Sequence, residues 1–217
     1  VVLLLLLAGC VAQEPYTKDG KEYGVTKGTF RGRWWSYYER GSSFLSGEFY
    51  NEAEADFLRA LQGRSRDSWS ARTYGLHFVE YFPNRELGVT YYHMGRLDDA
   101  ENYLRISLSQ IDTERARRYL DRVIEKRIER GQILDASDPA LHLAQGDQPQ
   151  IAVADRQVKL DIAAADAVGL KSVSVDGQPL RFRGNEKEAR FVQEALFDEG
   201  DHVLHLSATD LAGKSSD

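Results

Sequence analysis

The sequence contains little cysteine and no long apolar run. Cys10 is the only cysteine among 217 residues, which excludes both a disulfide framework and a cysteine metal cluster. The apolar run at residues 1–9 is shorter than the about 20 apolar residues that a membrane-spanning helix needs. Mean hydropathy of -0.49 and a charged fraction of 29% predict a globular, water-soluble chain beyond that run.

The sequence also lacks the short motifs that mark common catalytic sites. It contains no GxSxG elbow, no phosphate-binding loop and no HExxH helix. His202 and His205 lie three positions apart on a predicted strand and so point to opposite faces, which argues against a shared metal ion. The net charge of -6 argues against nucleic acid or anionic lipid as the main partner. We therefore expect a non-enzymatic protein with no cofactor, no metal ion and no nucleic-acid partner.

The apolar run ends in Leu7-Ala8-Gly9-Cys10, which resembles the lipobox of bacterial lipoproteins. The resemblance implies that residues 1–10 are a signal remnant and that Cys10 carries acyl chains such as palmitate. It also implies an anchored protein of the bacterial cell envelope. Val11, where inner-membrane retention favours Asp, implies the outer membrane and a protein that faces the periplasm. The alternative is a frayed apolar N-terminus with an incidental thiol.

Composition divides the chain near its middle. Residues 33–131 are rich in Tyr, Leu, Arg and Glu and contain one proline, Pro83, which favours helices. Breaker residues follow, including Gly146 and Pro149, and β-branched residues then alternate with polar ones. We predict a multidomain α plus β protein, with a flexible tether at 11–32, helical repeats at 33–131, a linker at 132–149 and a β domain at 150–217.

The helical half contains a pattern that resembles the tetratricopeptide repeat. Gly88 and Ala100 are small enough for two antiparallel helices to approach closely, and Gly95 is placed at the turn between them. The second helix has a face with helical periodicity, and two acidic residues at its N-terminal end suit the helix dipole. The positions that carry the resemblance are Leu87, Gly88, Tyr91, Gly95, Ala100 and Leu104.

A first copy of the repeat is clearest in its second helix, at Ala53, Phe57 and Ala60. Its first helix is expected from about Trp34 to Leu45, with a turn at Gly47 and a register that is off by one residue. The two copies are spaced more widely than a repeat length of about 34 residues allows, so residues 62–82 are predicted to be an insertion. A further helix at residues 114–129 is predicted to cap the array.

The C-terminal part has the period-two alternation of short strands. Asp176-Gly177 between two such runs predicts a hairpin. The segment 207–214, Ser-Ala-Thr-Asp-Leu-Ala-Gly-Lys, resembles the end of bacterial immunoglobulin-like modules, with Lys214 where those modules favour Asn. The resemblance implies an antiparallel β-sandwich. Its last strand is expected to be missing, as in a fragment of a longer protein.

The insertion and the residues just after it carry the side chains that we assign to partner binding, since arginine and aromatic residues are enriched in binding hot spots. They are Arg66, Trp69, Arg72 and Arg85. We expect Tyr74 and Phe78 to be buried. The alternative is an extended helix that packs the two repeats together and leaves the arginines in solvent; its packing residues would be Tyr74, Phe78, Tyr81 and Phe82. A second aromatic group is predicted to be the core of the first helix or else a sugar or peptide platform: Phe30, Trp34, Trp35, Tyr37 and Tyr38.

These observations favour a lipid-anchored, non-enzymatic protein–protein interaction module of the bacterial cell envelope. The helical repeats would hold an envelope protein, and the immunoglobulin-like domain would serve as spacer or docking unit. Two alternatives stay open. One is the N-terminal regulatory or targeting part of a larger envelope enzyme with a catalytic domain beyond Asp217, and the other is an envelope polysaccharide binder.

Overall fold

The computed structural model describes residues 16–143 and 156–217, and it consists of a helical region followed by antiparallel β-sheets. This confirms the predicted order of an α part and a β part. Cys10 lies outside the described residues, as do residues 144–149 of the predicted linker and residues 150–155 of the predicted β domain. Among the described residues, no helix has the length and apolar character needed to cross a bilayer. The helices are α1 (Trp34–Ser46), α2 (Tyr50–Gly63), α3 (Pro83–His93), α4 (Leu97–Gln110) and α5 (Glu114–Glu129).

The strands of the described residues fall into four sheets. Two of these are small hairpins, β1 with β2 and β3 with β4, and the other two form the β region, in the orders β11-β10-β7-β8 and β5-β6-β9. The strands are β1 (Tyr16–Lys18), β2 (Lys21–Tyr23), β3 (Ser68–Arg72), β4 (Phe78–Tyr81), β5 (Ala140–Leu143), β6 (Gln157–Ala165), β7 (Leu170–Val175), β8 (Gln178–Pro179), β9 (Glu188–Leu196), β10 (Leu206–Asp210) and β11 (Ser215–Ser216).

The two helix pairs α1–α2 and α3–α4 have matching turns and matching second helices. Helices α2 and α4 both have 14 residues, and the residues before them, Phe49 and Arg96, have φ/ψ of -86/72 and -85/74. The left-handed residue of each turn also matches, with φ 66 at Glu48 and φ 75 at Gly95. The predicted one-residue offset is therefore wrong. It arose because Gly47 was taken as the turn glycine, whereas Glu48 adopts the left-handed conformation.

Small residues set the distance between the paired helices. A Cβ atom added at Gly88 would lie 2.7 Å from Leu104 Cγ and 3.0 Å from the Leu104 main-chain nitrogen. Gly41, the counterpart of Gly88 in the first pair, would place a Cβ 3.1 Å from the Phe57 ring. Ala100 is fully buried in the same layer. Close contact of the helices therefore depends on side chains that occupy almost no space.

The five helices form two layers around one core. Helix α3 contacts both α1 and α5, which places these three in one layer, while α2 packs against α1 and α3 and α4 packs against α3 and α5. Helix α5 spans the predicted residues 114–129, and Thr113 Oγ1 caps it by accepting from Ala116 N at 3.3 Å. The buried core residues include Phe44, Ala53, Phe57, Leu87, Tyr91, Ala100, Leu104, Ala116, Leu120 and Val123.

Residues 16–23 form a hairpin that packs on the helices, although the sequence places them in a flexible tether. The Tyr16 ring lies 4.9 Å from the Phe44 ring and 5.1 Å from the Phe49 ring. Just beyond β2, Gly24 N donates a hydrogen bond of 3.1 Å to Ser43 Oγ. Aromatic pairs of this kind stabilise a short segment by more than the burial of its apolar surface alone. Residues 16–24 are therefore packed on the helices, whereas residues 25–32 contain no helix or strand and are mostly exposed.

In the β region, the two larger sheets face each other across a shared core. Ala164 of β6, Val173 of β7 and Ala208 of β10 are buried together in it. The predicted hairpin at Asp176-Gly177 is present, with φ of 49 and 73, as its two-residue turn requires. Strand β5 pairs with β6 and lies within residues 132–149, so part of the predicted linker belongs to the sheets.

The helical and β regions contact each other through α5. Ile124 of α5 is buried against Val168 and Leu211 from two loops of the β region. Polar contacts surround this apolar patch. Arg117 Nη1 donates to Gly184 O at 2.9 Å, and further ion pairs at 2.9 Å join Lys171 to Glu125 and Arg183 to Asp112.

Candidate functional site

A groove with a cavity of about 300 Å³ lies between α1, α3 and α5, on the layer that these helices share. Helix positions three or four apart project from one face, and the lining residues have this spacing on each helix. Helix α1 contributes Tyr38, Ser42, Leu45 and Ser46, helix α3 contributes Glu86, Val89 and His93, and helix α5 contributes Arg115 and Tyr119. Three helices that are distant in sequence thus build one concave surface.

The floor of the groove is a buried carboxylate held by two arginines. Glu86 Oε1 accepts from Arg85 Nε at 2.7 Å, and Glu86 Oε2 accepts from Arg115 Nη2 at 3.0 Å. The Glu86 side chain is 9% exposed, and charge-assisted bonds of this geometry compensate for its desolvation. Burial, with a further contribution from Glu86, raises the pKa of Tyr38 to about 12, so this hydroxyl is protonated at neutral pH.

One rim of the groove is aromatic and basic. His93 Nε2 lies 3.3 Å from Tyr119 Oη, and the His93 ring stacks on Tyr50 with centroids 5.2 Å apart. Desolvation lowers the pKa of His93, and the positive charges of neighbouring basic groups, Arg122 first, act in the same direction. Arg122 itself lies over the Tyr119 ring at 5.0 Å, and Lys126 lies over a tyrosine of α3 at 4.9 Å.

These properties suit binding. Glu86 is ion-paired with arginines, burial lowers the pKa of His93, and the rim offers cations and aromatic faces. Such a surface can attract carboxylate groups and pack against apolar side chains. A cavity of about 300 Å³ is large enough for a few side chains of an extended segment.

The four predicted partner-binding residues differ in exposure. Arg66, Trp69 and Arg72 are exposed on or beside the β3–β4 hairpin. Trp69 is 56% exposed and contacts Phe82 edge-on at 4.7 Å. Arg85 lies over the same Phe82 ring at 4.1 Å, but its side chain is only 13% exposed and is ion-paired with Glu86 at the groove floor. The sequence missed the groove because the residues of its lining are scattered over three helices.

The insertion is a β-hairpin and not an extended helix, and only Tyr81 and Phe82 of the four aromatic residues expected to pack are buried. Tyr74 and Phe78 were expected to be buried but are 49% and 53% exposed. Tyr81 is fully buried instead, and its hydroxyl lies 2.9 Å from Ala60 O and 2.6 Å from Arg64 O. The alternation of side chains along β4 explains this result, because it turns Phe78 to solvent and Tyr81 to the core.

The aromatic residues of the first helix are mostly in contact with the core. Trp34 lies edge-on to Tyr81 at 4.5 Å, and Tyr38 lies 4.9 Å from the same ring. Trp34, Trp35, Tyr37 and Tyr38 are half-buried, whereas Phe30 is 38% exposed. This placement favours a packing role for the group over a ligand platform.

A second cluster of polar residues lies in and beside the β region, where the sequence analysis expected no metal ligands. One carboxylate oxygen each from Asp135, Asp166 and Asp210 lies within 4.8 Å of the other two. Carboxylates of this kind are ligands for hard cations. They come from three separate segments, and a motif search based on local spacing cannot join them.

No protein-family model and no curated protein sequence matches this chain. Its functional assignment depends on the geometry described above.

Proposed function

We propose that this protein is a lipid-anchored, non-enzymatic interaction module of the bacterial cell envelope, tethered through Cys10 to the outer membrane and facing the periplasm. A tetratricopeptide-like helical region binds an extended, acidic segment of an envelope protein in the α1–α3–α5 groove. The β region, an immunoglobulin-like sandwich, acts as spacer. The observation that carries the proposal is a concave surface with an ion-paired glutamate, Glu86, at its floor and a basic, aromatic rim.

The repeated helix pairs support the tetratricopeptide-like assignment. Matching turns at Glu48 and Gly95 and the close approach at Gly88 are what antiparallel pairs stacked by small residues require. In such arrays, each pair contacts its neighbours and the first helices line a concave surface. Here the spacing between copies is widened by the β3–β4 hairpin, which inserts between one pair and the next.

Charge supports an acidic segment as the ligand. Arg115, Arg122 and Lys126 follow one another along α5 and lie against tyrosine rings. Burial lowers the pKa of His93 most, and the positive charges of these three residues lower it further. The overall net charge of -6 makes this basic strip a local feature of the surface. Binding through it should weaken as salt rises, since surface charges are screened within about 10 Å at 0.1 M salt.

The test is to fill the groove with a bulky side chain at an exposed lining position, so that the buried residues that shape the groove stay unchanged. Ser46 is exposed and lines the groove, whereas Ser109 is exposed on α4. Ser46→Trp should abolish capture of the envelope partner by the immobilised protein, and Ser109→Trp, with the same change in bulk, should leave capture intact. Both variants should melt like the parent. Equal capture by the two variants would refute the assignment of the groove.

A polysaccharide ligand is the second candidate, because three aromatic side chains of the hairpin segment are open to solvent. They are Trp69, Tyr74 and Phe78. Sugar rings stack on exposed aromatic faces, so Trp69→Ala should then remove retention on envelope glycans. If the parent itself is not retained on such glycans, this candidate is rejected.

A further inference from the structure

The three aspartates at the junction with α5 are held in place by the loops that carry them. Asp166 Oδ1 accepts from Val168 N at 2.7 Å and from Gly169 N at 2.8 Å. Asp210 Oδ1 accepts from Lys214 N at 2.9 Å. Each of these two carboxylates therefore uses one oxygen to fix its own turn, which leaves the other oxygen oriented by the same turn.

The second oxygens are buried and lack partners among the described residues. Asp166 is 7% exposed and Asp210 fully buried, and Oδ2 of each has no hydrogen-bond partner there. Asp135, from the segment after α5, has a side chain that is 3% exposed, and its Oδ1 is also without a hydrogen bond. A buried carboxylate oxygen without a partner is costly, so it indicates a ligand at that point.

The charges of the cluster are only partly balanced by the protein. Lys214 Nζ lies 3.0 Å from Asp135 Oδ2, and the Lys214 side chain is 36% exposed. Among the described residues, Lys214 forms no ion pair with Asp166 or Asp210. Three carboxylates face one ammonium group, which leaves an excess of two negative charges at a buried position. One divalent cation has the charge that balances this excess.

We propose that Asp135, Asp166 and Asp210 bind a calcium ion at the junction of the helical and β regions. All three ligands are hard oxygen donors, which suit Ca²⁺ and Mg²⁺ better than Zn²⁺. Burial favours calcium over magnesium, because Mg²⁺ gives up its water shell reluctantly and Ca²⁺ accepts six to eight oxygens in flexible geometry. Main-chain carbonyls and water would complete the coordination.

The position of the site gives the ion a structural role. Asp135 belongs to the segment that leaves α5. Asp166 lies in the loop after β6 and Asp210 ends β10, and the neighbouring Val168 and Leu211 pack on α5. An ion bound by all three ties the end of the helical region to two loops of the β region. Calcium therefore strengthens the contact between the two regions and sets the orientation of the groove relative to the β sheets.

The experiment uses the full chain, stripped with EDTA and dialysed. Calorimetric titration with CaCl₂ should give one site per chain, and the melting temperature should rise with calcium concentration. MgCl₂ should bind more weakly. Asp210→Asn keeps the Oδ1 acceptor for Lys214 N and removes the charge, so it should abolish the calcium response. Asp198→Asn, at a side chain that is 93% exposed in the same β region, is the matched control and should respond like the parent.

A second variant, at Lys214, tests the alternative that the lysine alone neutralises the three aspartates and that no metal ion binds there. Lys214→Met removes the ammonium group that competes for Asp135, and it should strengthen calcium affinity roughly tenfold or more. This variant also keeps the test decisive if Asp210→Asn fails to fold. The proposal is overturned if neither the parent nor Lys214→Met gives a calcium response at millimolar concentration. It is equally overturned if Lys214→Met is destabilised and calcium does not restore its melting temperature.

Discussion

Replacement of Gly88 by alanine tests the packing of the helix pairs most sharply. In an open helix, Gly to Ala would stabilise by about 0.5–1 kcal/mol through backbone entropy and helix propensity. At Gly88, however, the new Cβ would lie 2.7 Å from Leu104 Cγ and 3.0 Å from the Leu104 main-chain nitrogen. Side chains can rotate away, but a helix backbone must move as a whole.

Overpacking of a core costs about 1–3 kcal/mol, and contact with backbone favours the upper part of that range. Steric cost therefore exceeds the helix gain, and Gly88→Ala should lower the free energy of unfolding by about 1–2 kcal/mol. Gly41→Ala is the matched control, since its Cβ would meet the Phe57 ring at 3.1 Å and Asp56 Cβ at 3.2 Å. Small shifts relieve those contacts, so its stability should stay within about 0.5 kcal/mol of the parent.

Urea denaturation followed by far-ultraviolet circular dichroism measures both variants. The midpoint of Gly88→Ala should fall while the slope m stays unchanged, because the surface exposed on unfolding is the same. The reasoning is refuted if Gly88→Ala is as stable as the parent or more stable. It is also refuted if Gly41→Ala loses as much as Gly88→Ala, since the two glycines would then differ in no relevant way.

Three further outcomes are expected. Cys10→Ser should move the protein out of the membrane fraction. Metabolic labelling with an acyl chain should mark the parent and not the variant, and a parent that takes up no label would contradict lipidation. Tyr81→Ala, which empties a fully buried site, should cost about 3–5 kcal/mol, whereas Trp69→Ala, at 56% exposure, should melt close to the parent. The pKa of Tyr38 is raised from 10.0 to about 12, so its contribution to stability is complete below pH 10 and is lost as the pH rises through about 12. Tyr38→Phe should flatten that alkaline decline, and an unchanged profile would show that this hydroxyl does not titrate on unfolding.

Periodicity explains why the helices could be predicted from sequence. Helices α4 and α5 carry apolar residues at helical spacing with charged residues between them, and α5 occupies the predicted residues 114–129. The hairpin turn at Asp176-Gly177 was predicted for an equally local reason, because few residue pairs favour two left-handed conformations in succession.

Prediction failed where tertiary contacts outweigh local signals. Glu48 adopts a left-handed conformation that is usually found at glycine. The turn was therefore placed at the neighbouring Gly47, one residue too early. Aromatic density in the insertion suggested burial, yet strand alternation exposes Phe78 and buries Tyr81. The groove was missed because its acidic floor and basic rim come from α3 and α5, and single positions such as Glu86 look like ordinary charged helix residues.

The most direct test of the central claim is photo-crosslinking from inside the groove. A photoreactive amino acid placed at Ser46, at Ser109 or at Trp69, one position at a time, reports which surface the envelope partner touches in cells. The account predicts an adduct from position 46 that maps to an acidic, extended segment of one partner protein, with none from position 109. Adducts from position 69 alone, or equally from positions 46 and 109, would contradict binding in the groove.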